Sequence, residues 1–232
     1  LSKRGLVAMC ADNGVVEEGV TQTGQEVTAI VAENFLRYDT SVGVMCKQNH
    51  AEIFPVDMGM VTDTKVRTDH KVAYGTQNMT KGPAMTREQA IKGIEAGIAM
   101  VEELKNKGYK ILATGEMGIG NTTTSSAVAS VLLDQPVEEM TGRGAGLTSE
   151  GLVRKIAAIR KAIELNQPDP SDAIDVLAKV GGLDIAGMAG VFLGGAVYHV
   201  PVIMDGFISC VSALIAMQIC PAAGDYILAS HV

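Results

Sequence analysis

The sequence lacks an excess of positive charge. Its 232 residues contain 19 Lys and Arg against 26 Asp and Glu, which gives a formal net charge of −7. Proteins that bind nucleic acids through their phosphates normally carry a basic surface. The acidic balance therefore argues against a non-specific nucleic-acid binder, and any anionic ligand would have to be held by local groups.

The sequence also lacks the spacing of a metal site or a disulfide framework. Its four cysteines, Cys10, Cys46, Cys210 and Cys220, show no CxxC spacing, which argues against a zinc ribbon or a thioredoxin motif. Its four histidines show neither HxxxH nor HxH spacing. We therefore expect no metal and no cofactor. Scattered cysteines in a chain of this length are typical of small core residues in a reducing compartment, so we expect a cytoplasmic protein.

No apolar run is long and clean enough to span a membrane. The most apolar stretch, residues 185–203, is broken by glycines, His199 and Pro201, whereas a membrane-spanning helix needs about 20 apolar residues. We predict a glycine-rich buried helix followed by a buried strand in this stretch. Residue 1 leads directly into a strand pattern, so we expect no signal peptide, and terminal segments are expected to be missing at both ends.

What is present is an alternation of apolar, β-branched runs with helical patterns. A content of 47% apolar and 19% charged residues excludes a disordered chain. Strands that alternate with helices predict a parallel sheet, here in a three-layer, Rossmann-like α/β fold over a single domain, residues 1–232. Predicted strands are 5–11, 51–57, 109–114, 200–205 and 226–229. Predicted helices besides the glycine-rich one are 25–38, 86–107, 121–133, 149–165, 171–179 and 208–219.

Local signals place some boundaries of these elements. Thr86 and Gln89 have the spacing of a capping box at a helix start, and Ser171 is predicted to cap the short helix that follows it. Residues 62–83 are polar and lack periodicity, which predicts a long loop. Long loops in compact domains are often functional.

Polar side chains flanked by glycine follow several of the predicted strands. They include Asp12, Asp57, Glu116 and Asp205. Ligands of a parallel sheet bind at the carboxyl ends of its strands. Asp also favours turns for local reasons, but the recurrence at one edge predicts a binding site there.

The strongest single feature is a glycine loop at residues 115–124. A strand leads into it, its glycines let the backbone approach a ligand, and Asn121 opens a helix whose free amides can bind phosphate without a metal. It is not a Walker loop, because no Gly-Lys-Ser/Thr follows, and it is not a GxGxxG fingerprint.

A second glycine loop at residues 141–146 contains Arg143, and Lys155 follows on a predicted helix. By residue type alone, Lys155 would be a solvated helix charge. Together the two loops predict a phosphate held by backbone amides and one lysine. This arrangement favours an α/β enzyme whose substrate is a nucleotide monophosphate.

With these motifs the sequence resembles the nicotinate-nucleotide:dimethylbenzimidazole phosphoribosyltransferase family over essentially its whole length. The resemblance is carried by long blocks in the family's order: CADNGVVEEGV at 10–20, QEVT at 25–28, VDMG at 56–59, GEMGIGNTT at 115–123, TGRGAG at 141–146, KVGGLDIAGMAG at 179–190 and PVIMDGFIS at 201–209.

The resemblance implies a reaction. The phosphoribosyl group of nicotinate mononucleotide passes to 5,6-dimethylbenzimidazole, with inversion at the sugar, to give α-ribazole 5′-phosphate and nicotinate in cobalamin assembly. The pyridinium leaving group is already cationic, so no metal is needed for its departure. The enzyme must fix the phosphate, orient the ribose and remove the N–H proton of the incoming base. The resemblance also implies a homodimer.

The resemblance further assigns roles to individual residues. Glu116 is placed at the reaction centre as an orienting or electrostatic carboxylate, Asp205 near the ribose, and Gln25 near the benzimidazole pocket. The phosphate and ribose site is assigned to Gly118, Gly120, Asn121, Thr122, Arg143 and Gly144, with Lys155 nearby.

The chain departs from the family pattern at three points. It has Asn13 where the family usually has His, and Thr23-Gly24 where it often has Tyr-Pro, so the acceptor could be a phenol, adenine or another benzimidazole. The family's general base is a Glu in a Leu-Gly-Glu-Gly-Ser-Gly segment, which these 232 residues do not contain. A truncated homologue that binds a nucleotide without catalysis is therefore the alternative. A dinucleotide-binding dehydrogenase fits poorly, because its glycine fingerprint is absent.

Overall fold

The computed structural model describes residues 3–231, so residues 1, 2 and 232, where the sequence predicts truncated ends, lie outside the described part. Within it, a single sheet of parallel strands has the order β2-β1-β3-β4-β5. The strands are β1 (Arg4–Ala11), β2 (Ala51–Gly59), β3 (Ile111–Met117), β4 (Val202–Met204) and β5 (Ile227–Ala229). The predicted parallel α/β fold is confirmed.

Helices pack on both faces of this sheet, as predicted. The helices are α1 (Glu26–Arg37), α2 (Ser41–Gln48), α3 (Arg87–Asn106), α4 (Asn121–Leu132), α5 (Val137–Met140), α6 (Ser149–Asn166), α7 (Ala173–Val180), α8 (Leu183–Tyr198) and α9 (Phe207–Ile219). Helices α1 and α2 cover β1 and β2 on one face, while α8 and α9 lie against the other. Among residues 3–231, no helix is both long and apolar enough to cross a membrane.

Strand β1 is apolar from Gly5 onwards because both of its faces are covered. Val7, Met9 and Ala11 point into the larger core between the sheet and α8, whereas Ala8 and Cys10 point into the smaller core beneath α1 and α2. A continuous apolar run is the pattern of a parallel strand buried on both faces. This double burial fixes β1 and its neighbour β3 in the centre of the molecule.

The glycines of α8 serve internal packing against α3. A Cβ placed on Gly190 would lie 2.0 Å from the carbonyl oxygen of Ile94, and one on Gly97 would lie 2.0 Å from that of Gly187. The two backbones therefore approach more closely than any side chain would allow. The buried, glycine-rich helix that the sequence predicts is confirmed.

Several local predictions need correction. The sequence pattern does not predict helix α2, which begins after Thr40, whose side chain accepts a hydrogen bond from the Gly43 amide. Ser171 is not the cap of α7, because Asp172 accepts the amides of the first turn and Ser171 is bonded to Asp169. The capping box of Thr86 with Gln89 is confirmed.

The cysteines divide into two pairs. Cys10 and Cys46 are buried, as expected for core residues, but Cys210 and Cys220 are exposed, so the prediction of four core cysteines is wrong. The two exposed residues lie on α9 and directly after its last residue. All four thiols are free.

Residues 62–83 form the predicted loop, and charged side chains anchor it. Arg67 binds Glu103 of α3, with Nη2 2.9 Å from Oε2. Lys71 Nζ lies 3.1 Å from Asp57 Oδ2, and the Asn78 amide donates to Glu17 and Glu18. The loop is thus held against β2, α3 and the turn after β1.

Candidate active site

The first glycine loop connects β3 to α4 at the carboxyl edge of the sheet. Glu116 is the penultimate residue of β3, and α4 begins at Asn121 directly after Gly120, which has a φ of +94°. A Cβ on Gly118 would lie 2.6 Å from the Ala11 carbonyl oxygen. Only glycine therefore lets this loop pass so close to β1, and the first-turn amides of α4 are left without a side-chain cap.

A buried network joins this loop to α8. The side-chain nitrogen of Asn121 donates to Glu116 Oε2 and, over 2.9 Å, to Asp184 Oδ2. Burial raises the pKa of Glu116, the Asn121 hydrogen bond opposes the rise, and the Asp205 charge adds to it. Burial, followed by the Glu116 charge, raises the pKa of Asp184 to about 7. One amide therefore bridges two carboxyl groups whose ionisation is disfavoured.

Lys155 is buried, and the expectation of a solvated helix charge is wrong. It reaches inward from α6 and is 1% exposed. Its Nζ donates to Thr122 Oγ1 over 2.9 Å and to the Gly142 carbonyl oxygen over 3.1 Å. Burial lowers its pKa to about 8. The lysine thus links the start of α4 to the second glycine loop.

The second glycine loop closes over Thr122. Gly144 has a φ of +57°, and a Cβ there would lie 2.8 Å from Thr122 Oγ1. The guanidinium of Arg143 folds back onto its own loop, where it donates to the Leu147 carbonyl oxygen over 2.8 Å and to Ser149 Oγ over 3.0 Å. In this conformation Arg143 shapes the loop around the site.

Three cavities meet at Thr122. The largest of the three, about 450 Å³, is lined by Lys155, Ser126, Phe207 and two glycines of the second loop, Gly142 and Gly144. One of about 160 Å³ contains Glu116, Asp205 and Phe207. One of about 140 Å³ runs past Gly118, Gly120, Asn121 and Arg143. A pocket of about 300–1,000 Å³ is the usual size for a small-molecule site.

Some predicted site residues lie elsewhere. Gln25 stands at the start of α1, where its side-chain nitrogen donates to the Asn13 carbonyl oxygen over 3.2 Å; it contacts the turn behind the three cavities rather than lining them. Asp12 and Asp57 are buried, and they accept the amides of Val61 and Met60 over 2.8 Å each. Their carboxylates therefore stabilise the backbone directly after β2 and do not line the three cavities.

Two residues of the site escape prediction from the sequence. Asp184 is a lone acid in the first turn of an apolar helix, and Phe207 is an aromatic residue 45% exposed at the mouth of two cavities. A charge inside an otherwise apolar block is the available signal for Asp184. Within residues 3–231, no group of three or more His, Cys, Asp and Glu is placed to hold a metal ion.

Comparisons with known proteins agree on one family. A family model described as phosphoribosyltransferase matches residues 1–232. A protein of Ruminiclostridium cellulolyticum named nicotinate-nucleotide–dimethylbenzimidazole phosphoribosyltransferase is 54% identical over 233 residues, which cover 100% of this chain and 66% of the relative. A protein of the same name from Clostridium acetobutylicum is 49% identical over 233 residues, with the same coverage of 100% and 66%. The chain thus spans about two thirds of the length of these relatives.

Solved structures show the same similarity. The crystal structure of CobT from Thermus thermophilus matches with a TM-score of 0.93 and 36% identity, covering 100% of this chain and 70% of that one. A second structure, that of the nicotinate-nucleotide-dimethylbenzimidazole phosphoribosyltransferase of the same organism, matches with a TM-score of 0.91 and 35% identity, covering 100% of this chain and 69% of that one.

Proposed function

The chain belongs to the phosphoribosyltransferase family, and we propose that it carries the donor site for the reaction after which its relatives are named. In that reaction, nicotinate mononucleotide transfers its phosphoribosyl group to 5,6-dimethylbenzimidazole, giving α-ribazole 5′-phosphate and nicotinate. The observation that carries the proposal is the buried Lys155, which holds Thr122 at the start of α4 beside the cavity of about 450 Å³.

The phosphate of the nucleotide is proposed to bind between the start of α4 and the second glycine loop. The helix dipole at the start of α4 favours an anion, together with the Thr122 amide, since the amides of Asn121 and Thr123 donate to backbone carbonyl oxygens of the loop. Lys155 supplies a positive charge at the same point, from a cavity wall shared with Gly142 and Gly144. A buried lysine with a strongly lowered pKa gains most when a phosphate arrives, because the phosphate restores its charged form.

The ribose and the departing pyridine are proposed to lie in the neighbouring cavity with Glu116 and Asp205. Breaking the bond between the sugar and the cationic ring leaves positive charge on the anomeric carbon. A carboxylate that is already in place stabilises this charge without having to reorganise. Glu116 is assigned this role, Asp205 orients the ribose, and the exposed Phe207 ring is available to pack against a flat heterocycle.

The N–H proton of the incoming benzimidazole needs an acceptor. We assign it to the Glu of the family's Leu-Gly-Glu-Gly-Ser-Gly segment, which residues 1–232 do not contain. Gln25 is proposed to act indirectly on the acceptor side, by holding the turn at Asn13. The rest of the donor site, Gly118, Gly120, Asn121, Arg143 and Gly144, shapes the cavities around the nucleotide.

We further propose that the full-length protein is a cytoplasmic homodimer. The two exposed free thiols, Cys210 and Cys220, suit a reducing compartment, and the dimer follows from the family resemblance. Sedimentation of the full-length protein tests the dimer, and a monomer at micromolar concentration contradicts it.

A transfer assay tests the proposed reaction. The protein expressed from its complete reading frame is incubated with nicotinate mononucleotide and dimethylbenzimidazole, and the products are separated by chromatography. We expect nicotinate and α-ribazole 5′-phosphate in equal amounts, and about 10²–10³-fold slower turnover in Glu116→Gln. Nicotinate release that is independent of the benzimidazole contradicts the proposal, because it indicates hydrolysis. Adding adenine or a phenol in competition identifies the preferred acceptor.

A further inference from the structure

Asp184 is a buried acid without a role in the reaction outlined above. It is 0% exposed, although it occupies the first turn of α8, and it does not line any of the three cavities that meet at Thr122. Its Oδ1 accepts the Ile185 amide over 3.0 Å, and its Oδ2 accepts the Asn121 side-chain amide. An ionised carboxylate in such a place requires compensation, and among the described residues no cation contacts it.

A second buried oxygen faces the same carboxyl group. Asn13 is 0% exposed, and its Oδ1 has no hydrogen-bond donor within the described part of the chain. A Cβ on Gly182 would lie 2.5 Å from Asp184 Oδ1 and 2.6 Å from Asn13 Oδ1. Both oxygens therefore border the space beside Gly182, where a proton on Asp184 is a candidate for the donor that Asn13 Oδ1 lacks.

The orientation of the Asn13 amide is fixed from its other side. Its nitrogen donates to the Ile119 carbonyl oxygen over 3.4 Å. Rotating the amide by half a turn would place an acceptor against that carbonyl, since only the nitrogen of an Asn side chain can donate. Asn13 Oδ1 thus lies beside Asp184 Oδ1 and lacks a donor there among the described residues. The Asn13 nitrogen lies on the side of Asp184 Oδ2, where a Cβ on Gly118 would be 3.1 Å from the nitrogen and 2.5 Å from that oxygen.

The charged surroundings favour the same protonation state. Asn121 brings Asp184 close to Glu116 on β3, and two carboxyl groups in one buried site do not both ionise readily. The other titratable neighbour is the Cys10 thiol on β1, whose pKa is raised by burial and then by the nearby carboxylates. Helix α4 and the turn after β1 present neutral amides to this carboxyl group, from Asn121 and Asn13. Glu116 opens onto a cavity, whereas Asp184 does not.

We propose that Asp184 is a positioning residue: as a neutral acid it donates to Asn13 and accepts from Asn121, so that Glu116 is the ionised member of the two carboxyl groups that the Asn121 amide joins. The chain of hydrogen bonds runs from Asp184 through Asn121 to Glu116, and every member has a partner. The role of Glu116 rests on the proposed function, whereas the protonation of Asp184 does not.

Two substitutions separate a neutral acid from a carboxylate. Asp184→Asn keeps the shape and can donate to Asn13 while accepting from Asn121, and it gives up only the hydrogen bond that Asp184 Oδ1 accepts from the Ile185 amide. We expect it to bind nicotinate mononucleotide within about threefold of the unmodified protein. Asp184→Ala removes one acceptor of the Asn121 amide and the proposed donor to Asn13 Oδ1, and we expect binding weaker by about tenfold or more. If Asp184→Asn binds as weakly as Asp184→Ala, the residue acts as a carboxylate and the proposal is wrong.

Infrared spectroscopy and thermal unfolding test the protonation without any ligand. At about pH 6, below the raised pKa of Asp184, we expect the carbonyl band of a buried neutral acid, lost in Asp184→Asn and retained in Glu116→Gln. Because the pKa of Asp184 is raised by folding, its neutral form stabilises the protein at low pH and this contribution is lost as pH rises towards 7. The Tm of Asp184→Asn relative to the unmodified protein therefore rises between about pH 4 and pH 7.

The two readouts also separate this proposal from the proposed function. If the infrared band of the neutral acid is missing and the Tm difference between Asp184→Asn and the unmodified protein does not change with pH, Asp184 is not protonated and the proposal is wrong, whatever the protein binds. Absent binding of nicotinate mononucleotide by the unmodified protein, with the band and the Tm trend present, refutes the proposed function and leaves the protonation of Asp184 established.

Discussion

Lys155 keeps its amine in a place that water hardly reaches, and its two hydrogen bonds go to neutral oxygens of Thr122 and Gly142. Burial of an amine without a carboxylate partner disfavours its charged form. Such a residue lowers the stability of the fold, and it is typical of a site that binds an anion. The sequence predicts Lys155 near the phosphate loops, but its burial depends on how α6 packs against α4, which no local pattern encodes.

The affinity of the site for a phosphate should depend on the charge of Lys155. With a pKa of about 8, the amine is charged below that pH and neutral above it. We therefore expect the Kd for nicotinate mononucleotide to increase by about tenfold between about pH 7 and pH 9. Calorimetry in a series of buffers measures this trend.

Lys155→Met should abolish that trend as well as weaken binding. The variant removes the charge and keeps the length, so we expect affinity at neutral pH to fall by about 1.5–3 kcal/mol. Lys161→Met is the matched control, because Lys161 is exposed on the same helix. An unchanged pH dependence in Lys155→Met contradicts the assignment.

At the scale of elements, the positions of the site residues depend on contacts between segments that are far apart in the chain. The α3–α8 crossing positions Asp184, since α8 begins beside the first glycine loop and packs along α3. The 62–83 loop lies against the turn after β1 that contains Asn13, and the Thr76 hydroxyl accepts the Gly14 amide over 3.1 Å. The sequence predicts both α8 and the loop, but it predicts neither contact, because each joins residues far apart in the chain.

The crossing of α3 and α8 should not tolerate a single methyl group. A Cβ on Gly190 would lie 2.0 Å from the Ile94 carbonyl oxygen, so the helices must separate. We expect Gly190→Ala to lower the free energy of unfolding by about 1–3 kcal/mol or more. Gly142→Ala is the control, because a Cβ there meets nothing within 4 Å. Equal urea midpoints for the two variants contradict this packing.

The stability contributed by the ion pair of Arg67 with Glu103, which anchors the 62–83 loop to α3, should depend on pH. Hydrogen bonds from Arg67 and then Lys107 lower the pKa of Glu103 to about 2. Its contribution is therefore complete above its unfolded pKa near 4.5 and is lost as pH falls towards 2. We expect Glu103→Gln to cost about 0.5–1 kcal/mol at neutral pH, with a smaller cost at about pH 3. Urea unfolding at the two pH values measures both costs. Glu95→Gln, on the exposed face of α3, is the control and should change the free energy of unfolding at neither pH.

At the scale of the whole molecule, the sequence predicts the architecture better than the site. Apolar runs such as residues 5–11 indicate strands buried on both faces, and their alternation with helices requires a parallel sheet. Helix α2 escapes prediction because Ser41–Gln48 is short and has no clear apolar stripe. The glycine loops lie at the carboxyl edge as predicted, yet the carboxylates of Asp12 and Asp57 bind backbone amides directly after β2.

The remaining differences between the sequence-based predictions and the structure have one physical origin. Whether a polar residue faces a cavity or a neighbouring backbone depends on tertiary contacts, not on its place along the sequence. Arg143 therefore binds its own loop, and Asp184 is connected to Glu116 through Asn121. The family resemblance points to the two glycine loops, and the structure is needed to tell which of their side chains face a cavity.

The measurement that most directly tests the donor site is a calorimetric titration of residues 1–232 with nicotinate mononucleotide in the absence of metal. Both glycine loops and Lys155 lie within this chain. We predict saturable binding that Asn121→Ala weakens by about tenfold or more. The reason is that the Asn121 side-chain amide, at the start of α4, donates to Glu116 of β3 and holds its carboxyl group in place. No binding at millimolar ligand, or equal affinity in the two proteins, would contradict the donor site described here.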